Sequence, residues 1–321
     1  MSIPFGVFVP QGWRLDLVDI PDPVEKYEAM TQVARVAEDS GFDSVWLYDH
    51  FLTVPTIELE TTFECWTTTA ALTRDTHRVK VGQMVTCNGY RNPALLAKMA
   101  STVDVMSHGR LLCGLGAGWY EAEWRAYGYG FPPLRDRMQA FAEACELIHR
   151  MWTEDHPAFH GRHYTIEDAI NEPHGPAGAH PRLWIGGSGE RVTLRLVARW
   201  GDACNVGGEP DVLRHKFDVL RRHCEDVGRD YDQIVRSSTV MVFPVQPGES
   251  PEQATAAARR DRPYEEFAHS VVVGTGAELV ERLQQRVDAG VNYLILYVPG
   301  VAYDHDRLRL LATEVLPHVT G

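Results

Sequence analysis

The sequence predicts a (β/α)8 TIM barrel, eight parallel strands closed into a cylinder, in one domain over residues 1–321. Three observations predict it. Strand-like and helix-like runs alternate along the chain, which implies a parallel sheet covered by helices. Eight such units can be counted, the number at which a parallel sheet closes on itself. The 321 residues, 44% hydrophobic and only 23% charged, suffice to bury a core of that size. An open doubly wound sheet is the competing topology.

The first strand is expected over Pro4–Val9 and its helix over Val24–Asp39. Ser40-Gly41 then supplies a left-handed helix end before Phe42. The second strand, Ser44–Tyr48, leads to a helix over Phe63–Arg74. The third, Val79–Val85, precedes Asn92-Pro93, where proline opens the helix Pro93–Met106 at a position whose missing N–H costs nothing. After the fourth strand, Leu111–Gly116, an aromatic, Gly- and Pro-rich insertion (Gly118–Arg137) precedes the helix Met138–Trp152. Thr153–Pro181 interrupts the repeat before the fifth strand and is long enough for a small hairpin and a loop. The fifth strand, Leu183–Gly186, carries the helix Val192–Trp200, and the sixth, Asp202–Val206, the helix Val212–Val227. A charged insertion (Val245–Ala268) follows the seventh strand, Val235–Phe243, ahead of the helix Ala277–Ala289, which Gly290 closes. The eighth strand, Tyr293–Val298, and the helix Asp306–Leu316 complete the order. Loops this long in a compact domain are usually lids or binding loops.

Composition excludes several classes. A formal charge of −13, from 31 Lys+Arg and 44 Asp+Glu, is the wrong sign for a general nucleic-acid grip. No run of about 18 apolar residues exists to span a membrane. The start, MSIPFGVFVPQG, has no positively charged region before its apolar stretch, so no secretory signal is expected. The six cysteines stand singly, with no C-x-x-C pair, as reduced thiols of a cytoplasmic protein would. Small-molecule chemistry becomes the leading class.

A parallel barrel places its active site at the C-terminal ends of the strands. That selects Asp49 and His50 after strand two, Thr86, Cys87 and Asn88 after strand three, and Gly116–Glu123 after strand four. It adds Gly187–Arg191, Asn205 and Tyr297. His50 stands out because imidazole can give or take a proton near neutral pH. Its structural reading is a hydrogen-bonder at a loop start. WIGGSGER, Trp184–Arg191, reads as strand, glycine turn and helix start. Gly186, Gly187 and Gly189 would let a phosphate approach free N–H groups, while Ser188 adds a hydroxyl and Arg191 a charge. A plain tight turn is the alternative there.

GLGAGWYEAE, Gly114–Glu123, lacks the full G-x-G-x-x-G spacing of a dinucleotide fingerprint. Close approach of backbone to a flat ring suits it better, with Trp119, Tyr120, Glu121 and Glu123 projecting toward the mouth. His156, His160 and His163 read as solvated loop histidines, because no catalytic-zinc spacing on a helix accompanies them. Gly274-Thr275-Gly276 suits a phosphate turn or a helix cap equally well.

Taken together these motifs resemble the bacterial luciferase-like superfamily, and within it the oxidoreductases that use the deazaflavin coenzyme F420. The carriers are GFDSVWLYDHF (Gly41–Phe51), VKVGQMVTCNGYRNPALLAK (Val79–Lys98), GRLLCGLGAGWYEAEWRAYG (Gly109–Gly128) and LWIGGSGERVTLRLVARWGDACN (Leu183–Asn205). The resemblance implies coenzyme F420 at the strand C-termini, with FMN as the alternative, a small-molecule substrate and a homodimer. His50 matches an active-site histidine beside the reactive ring edge. Met84 and Val85 match a strand-three bulge that backs the ring and carries a non-proline cis peptide. Gly116, Ala117 and Gly118 match backbone contacts to the ring, and Gly186–Gly189 the phosphate turn.

The implied reaction is hydride transfer between reduced F420 and a small organic C=C, C=N or C=O bond. His50 would supply the proton, assisted by Glu121 or Tyr120. An FMN-dependent monooxygenase and a non-catalytic cofactor-binding protein are the alternatives. Two departures matter: sugar-phosphate dehydrogenases of this kind carry a glutamate where this chain has Trp119, and a tryptophan where it has Val54. Glu121 is the candidate to replace the missing acid.

Overall fold

The computed structural model describes residues 2–321. Eight parallel strands form the barrel: Phe5–Phe8, Ser44–Leu47, Lys80–Gln83, Leu111–Gly116, Arg182–Gly186, Ala203–Asn205, Val235–Pro244 and Tyr293–Tyr297. Each pairs with its successor, and the eighth returns to the first through Phe5↔Leu294, Gly6↔Ile295 and Val7↔Leu296. The sheet is therefore closed, and the open doubly wound topology is set aside.

The helices Pro23–Asp39, Cys65–Asp75, Pro93–Met106, Leu134–Thr153, Thr193–Trp200, Pro210–Val227, Gly276–Val287 and Asp306–Glu314 surround it. Their starts and stops follow local chemistry. Asp22 accepts from the N–H groups of Val24 and Glu25, and Asn92 caps its helix through the Ala94 N–H at 2.9 Å with Pro93 at the first position. Gly41 (φ 87°) and Gly290 (φ 104°) end helices in the left-handed region, as expected. Thr275 and Glu278 form a capping box, so the Gly274-Thr275-Gly276 turn is a helix cap.

One apolar layer lies between strands and helices, and a second fills the barrel. The inner layer is aromatic, with Phe8, Trp46, Tyr48, Trp184, Tyr293 and Tyr297 among its members. Trp46 is fully buried, 4.8 Å from Trp184 between ring centroids. Its Nε1–H donates to Ser44 Oγ at 2.6 Å, and that hydroxyl lies 2.7 Å from the Tyr293 hydroxyl, so the Trp46 indole donor is met, whereas that of Trp184 beside it has no partner. The space comes from two glycines on the flanking strands. A Cβ on Gly6 would stand 2.2 Å from Trp46 Nε1, and one on Gly82 2.6 Å from its ring. The barrel is thus a packed solid, and ligands are confined to its mouth.

Elements depart from expectation in three places. Strand three ends at Gln83, and pairing resumes as Thr86 and Cys87 meet Leu115 and Gly116. The helix expected from Met138 starts at Leu134, directly after Pro133, and the insertion before it contains a short helix, Glu121–Ala126. The insertion before strand five, by contrast, holds the small hairpin expected of it, the antiparallel pair Phe159–His160 and Thr165–Ile166. The one after strand seven holds three short helices and an unforeseen strand, Val272–Gly274, that pairs with strand seven. Among the described residues no helix is long and apolar enough to cross a membrane, and all six cysteines are buried and unpaired.

Candidate active site

Strand two ends by delivering Tyr48, Asp49 and His50 to the mouth. Asp49 and His50 point to different tasks. The Asp49 carboxylate is fully buried and gripped by Arg91, with Nη1 at 2.6 Å from Oδ2 and Nη2 at 3.0 Å from Oδ1. Oδ2 also accepts the Cys87 N–H at 2.8 Å. These bonds tie the loop after strand two to the loop after strand three, a bidentate geometry that arginine alone provides.

His50 is held differently. Its Nδ1 lies 2.8 Å from Glu123 Oε2, inside the insertion after strand four. Glu123 is wholly buried and saturated: Oε1 accepts the N–H groups of Phe51 at 2.7 Å and Leu52 at 2.9 Å, and Oε2 accepts the Tyr90 hydroxyl at 2.9 Å. Burial opposes the charge of this carboxyl, but His50 and the two backbone donors outweigh it, so its pKa falls below 4.5. Tyr90 is pushed the other way, by burial and then by Cys87 and Glu123, and keeps its proton to donate. An ionised Glu123 that accepts at Nδ1 makes Nδ1 the protonated ring nitrogen of the neutral imidazole. Proton exchange with a ligand then falls to Nε2. Trp13 stacks flat on the imidazole, 4.0 Å between centroids at 6°, and locks its plane.

These groups border a cavity of about 380 Å³ at the strand C-termini. Of the residues expected there, Asp49, His50, Met84, Val85, Cys87, Gly116, Ala117, Gly118, Trp119, Tyr120, Gly186, Gly187 and Asn205 line it, together with Trp13, Tyr90 and Thr193. Met84-Val85 is a cis peptide, as the resemblance implied. The floor is made by Val85 seated on glycine. A Cβ on Gly116 would stand 2.5 Å from Val85 Cγ2, and one on Gly186 2.7 Å from Cγ1. Gly118 has φ +76°, and a Cβ there would crowd Cys87 Sγ in the same way.

Other expected residues stand elsewhere. Glu121 is exposed on the outer face of its helix and bonded to Arg125 at 2.7 Å, so it is not the acid of the site; Glu123, two residues on, is the one turned inward. Thr86 is buried behind the wall, where its hydroxyl accepts the Trp66 indole at 3.0 Å. Asn88 is buried against the Tyr164 hydroxyl at 3.1 Å. Neither lines the cavity.

Ser188, Gly189 and Arg191 sit on the rim, exposed, in the turn before the helix Thr193–Trp200. That helix has no side-chain cap. The turn is braced from behind, Glu190 bonding Lys216 at 2.6 Å and His215 at 3.0 Å while its carbonyl accepts from His223 at 2.8 Å. Arg191 has no ion pair among the described residues. His156 pairs with Asp168 and His160 with Glu167 on exposed surface, and no three metal-ligating side chains converge among the described residues.

Sequence reasoning passed over Trp13, Tyr90 and Arg91. For Trp13 a signal existed: Gln11-Gly12-Trp13 follows the first strand, at the same end of the barrel as the other candidates.

Comparison with known proteins follows the same lines. The family model described as luciferase-like monooxygenase matches residues 3–270. An F420-dependent glucose-6-phosphate dehydrogenase of Amycolatopsis mediterranei is 26% identical over 322 residues, covering 90% of this chain and 93% of that protein. One from Kineococcus radiotolerans is 28% identical over 319 residues, with 90% and 92% covered. The structure of an F420-dependent secondary alcohol dehydrogenase in complex with an F420-acetone adduct superposes with a TM-score of 0.82 at 21% identity, covering both chains fully. With the family model matched over residues 3–270, more than four-fifths of this chain, the chain belongs to the luciferase-like monooxygenase family.

Proposed function

We propose that this chain is a coenzyme F420-dependent oxidoreductase that moves a hydride between the deazaflavin and a small organic substrate bearing a C=C, C=N or C=O bond. The observation that carries the reading is the buried Glu123 holding His50 at the edge of a glycine-floored cavity. The relatives whose names specify F420 support the choice of cofactor.

The residues present fit that group. Val85, seated on Gly116 and Gly186, offers a flat backing, and a side chain at either glycine would displace it. The uncapped helix start and the unpaired Arg191 offer N–H donors and positive charge to a phosphate. Met84, Val85 and Gly116–Gly118 would hold the ring, and Gly187–Gly189 with Arg191 the phosphate. When bound, the deazaflavin supplies or takes up the hydride. His50 exchanges the accompanying proton at Nε2, while Glu123 keeps Nδ1 oriented. Trp119 and Tyr120, stacked at 5.2 Å, stand edge-on to His50 and shield the mouth from water.

A sugar phosphate fits poorly, since Trp119 follows the glycines directly and Glu121 is engaged outside by Arg125. A homodimer belongs to the same reading, and the solution mass tests it. The decisive experiment is a fluorescence titration with F420 and with FMN. Saturable quenching by F420 and none by FMN is expected. FMN binding with oxygen consumption by reduced FMN would replace this reading with a monooxygenase. Tight F420 binding with no turnover on enones, imines and alcohols would leave a binding protein. His50→Asn should lower turnover roughly 10²–10⁴-fold with F420 affinity retained; unchanged turnover removes His50 from the chemistry.

A further inference from the structure

The loop after the first strand carries a second polar feature, Arg14, set behind Trp13 and Tyr48, which line the cavity while Arg14 itself does not. It makes a tight turn in which Gly12 has φ +99° and Leu15 φ +58°. A non-glycine residue held in the left-handed region costs free energy, and such strain gathers where a loop must present a side chain. The loop is pinned on both sides. Gln11 bonds the Phe63 carbonyl at 2.6 Å and the Tyr48 N–H at 2.8 Å, and the Trp13 carbonyl accepts the Val54 N–H at 2.8 Å. What the turn presents is Arg14.

Arg14 is half-buried, and its guanidinium carbon lies 4.8 Å from the Trp13 ring centroid, 5.1 Å from that of Tyr297 and 5.9 Å from that of Tyr48. In a chain of net charge −13, it has no carboxylate within ion-pair distance among the described residues. Its Nε–H is buried with no hydrogen-bond partner, while the guanidinium is otherwise engaged by the Tyr48 hydroxyl. Asp16 lies near enough for its charge to be felt, but its carboxyl is engaged by the Gly12 N–H at 2.6 Å and by the Tyr297 hydroxyl. A caged guanidinium with an unmet buried donor is costly unless something else completes it. Trp13 touches Arg14 and stacks on His50, so the two are separated by one indole.

We propose that Arg14 anchors a carboxylate on the substrate, which makes the substrate class a small organic acid whose reducible bond reaches His50. The inference rests on the oxidoreductase reading above. A monoanion suits the place better than a phosphate dianion, because one guanidinium, partly offset by Asp16, supplies the only positive charge over these three rings among the described residues. The planar fork of arginine matches the planar carboxylate, and the aromatic walls accept a flat organic body.

The test uses benzoate and its neutral isostere benzamide, titrated against the full chain without deazaflavin and followed by tryptophan fluorescence. Wild type should bind benzoate roughly 10- to 100-fold more tightly than benzamide. Arg14→Gln should abolish that preference, and Arg14→Lys, with its circular dichroism unchanged, should keep part of it. Equal binding of both probes to wild type, or a preference that survives Arg14→Gln, overturns the proposal. F420 affinity, measured alongside, separates the two sources of anion: if Arg14→Gln weakens F420 binding and leaves the benzoate preference, the anion belongs to the cofactor and the proposal fails. Absence of F420 binding by wild type would sink the oxidoreductase reading, while the benzoate comparison still decides the role of Arg14.

Discussion

Replacing Glu123 by Gln exchanges one carboxylate oxygen for an amide NH2 and reverses two hydrogen bonds. The amide oxygen can take the place of Oε1 and keep the N–H groups of Phe51 and Leu52. The amide NH2 must then face Tyr90 and His50, where Oε2 accepted two bonds. Tyr90 can rotate its hydroxyl to accept, and His50 can accept only by moving its proton from Nδ1 to Nε2. Both adjustments are local, so the fold loses about 1–3 kcal/mol rather than the roughly 3–5 kcal/mol of stranding a buried charge partner. The chemistry loses more. The neutral imidazole is fixed in the other tautomer, with Nε2 permanently protonated, and wrong-tautomer substitutions of this kind lower kcat by as much as about 10⁴-fold. Thermal unfolding, F420 affinity and F420-dependent turnover should therefore separate: a Tm lower by a few degrees, near-normal affinity, and turnover reduced at least about 10²-fold. A folded Glu123→Gln protein with wild-type turnover would refute the orienting role.

Three further outcomes follow from the same geometry. Gly186→Ala should move Val85, cost about 1–3 kcal/mol by overpacking and weaken F420 binding, read by calorimetry and by fluorescence titration. Arg91→Lys keeps a charge but loses the two-point grip on Asp49, so unfolding should come earlier by roughly 1–3 kcal/mol; an unchanged midpoint would show the clamp to be dispensable. Asp16 is raised from 3.8 to about 6, chiefly by burial, so between those values the folded chain binds the proton more tightly than the unfolded one. Stability then falls as pH rises through that window, the loss being complete above it; Asp16→Asn should flatten this slope in denaturant titrations from acid to neutral pH.

Most strands and helix ends were legible because their signals are local: alternating apolar runs, Asn92-Pro93 at a start, Gly41 and Gly290 at stops. The site was legible to the level of the barrel end, which picks out His50, Gly116 and Gly186 by position. What failed was phase. Glu121 and Glu123 stand two apart in one segment, and which of them turns inward depends on how the Glu121–Ala126 helix docks, a tertiary choice with no local signature. Thr86 and Asn88 were misplaced for a related reason. Strand three stops at Gln83 and pairing resumes at Thr86, so the alternation of inward and outward side chains is broken between them. The short strand Val272–Gly274 escaped notice because three residues carry too little periodicity to be read.

Trp46 ties three strands into a single heritable unit. Its indole occupies the volume that a methyl group on Gly6 or Gly82 would claim. An ancestor with alanine at either position could not acquire the tryptophan in one step, and a descendant cannot lose either glycine while the tryptophan remains. Substitution must run in a fixed order, the large ring shrinking first. Across the lineage of this chain the three positions should change together or stay as they are, whatever substrate the mouth of the barrel is serving.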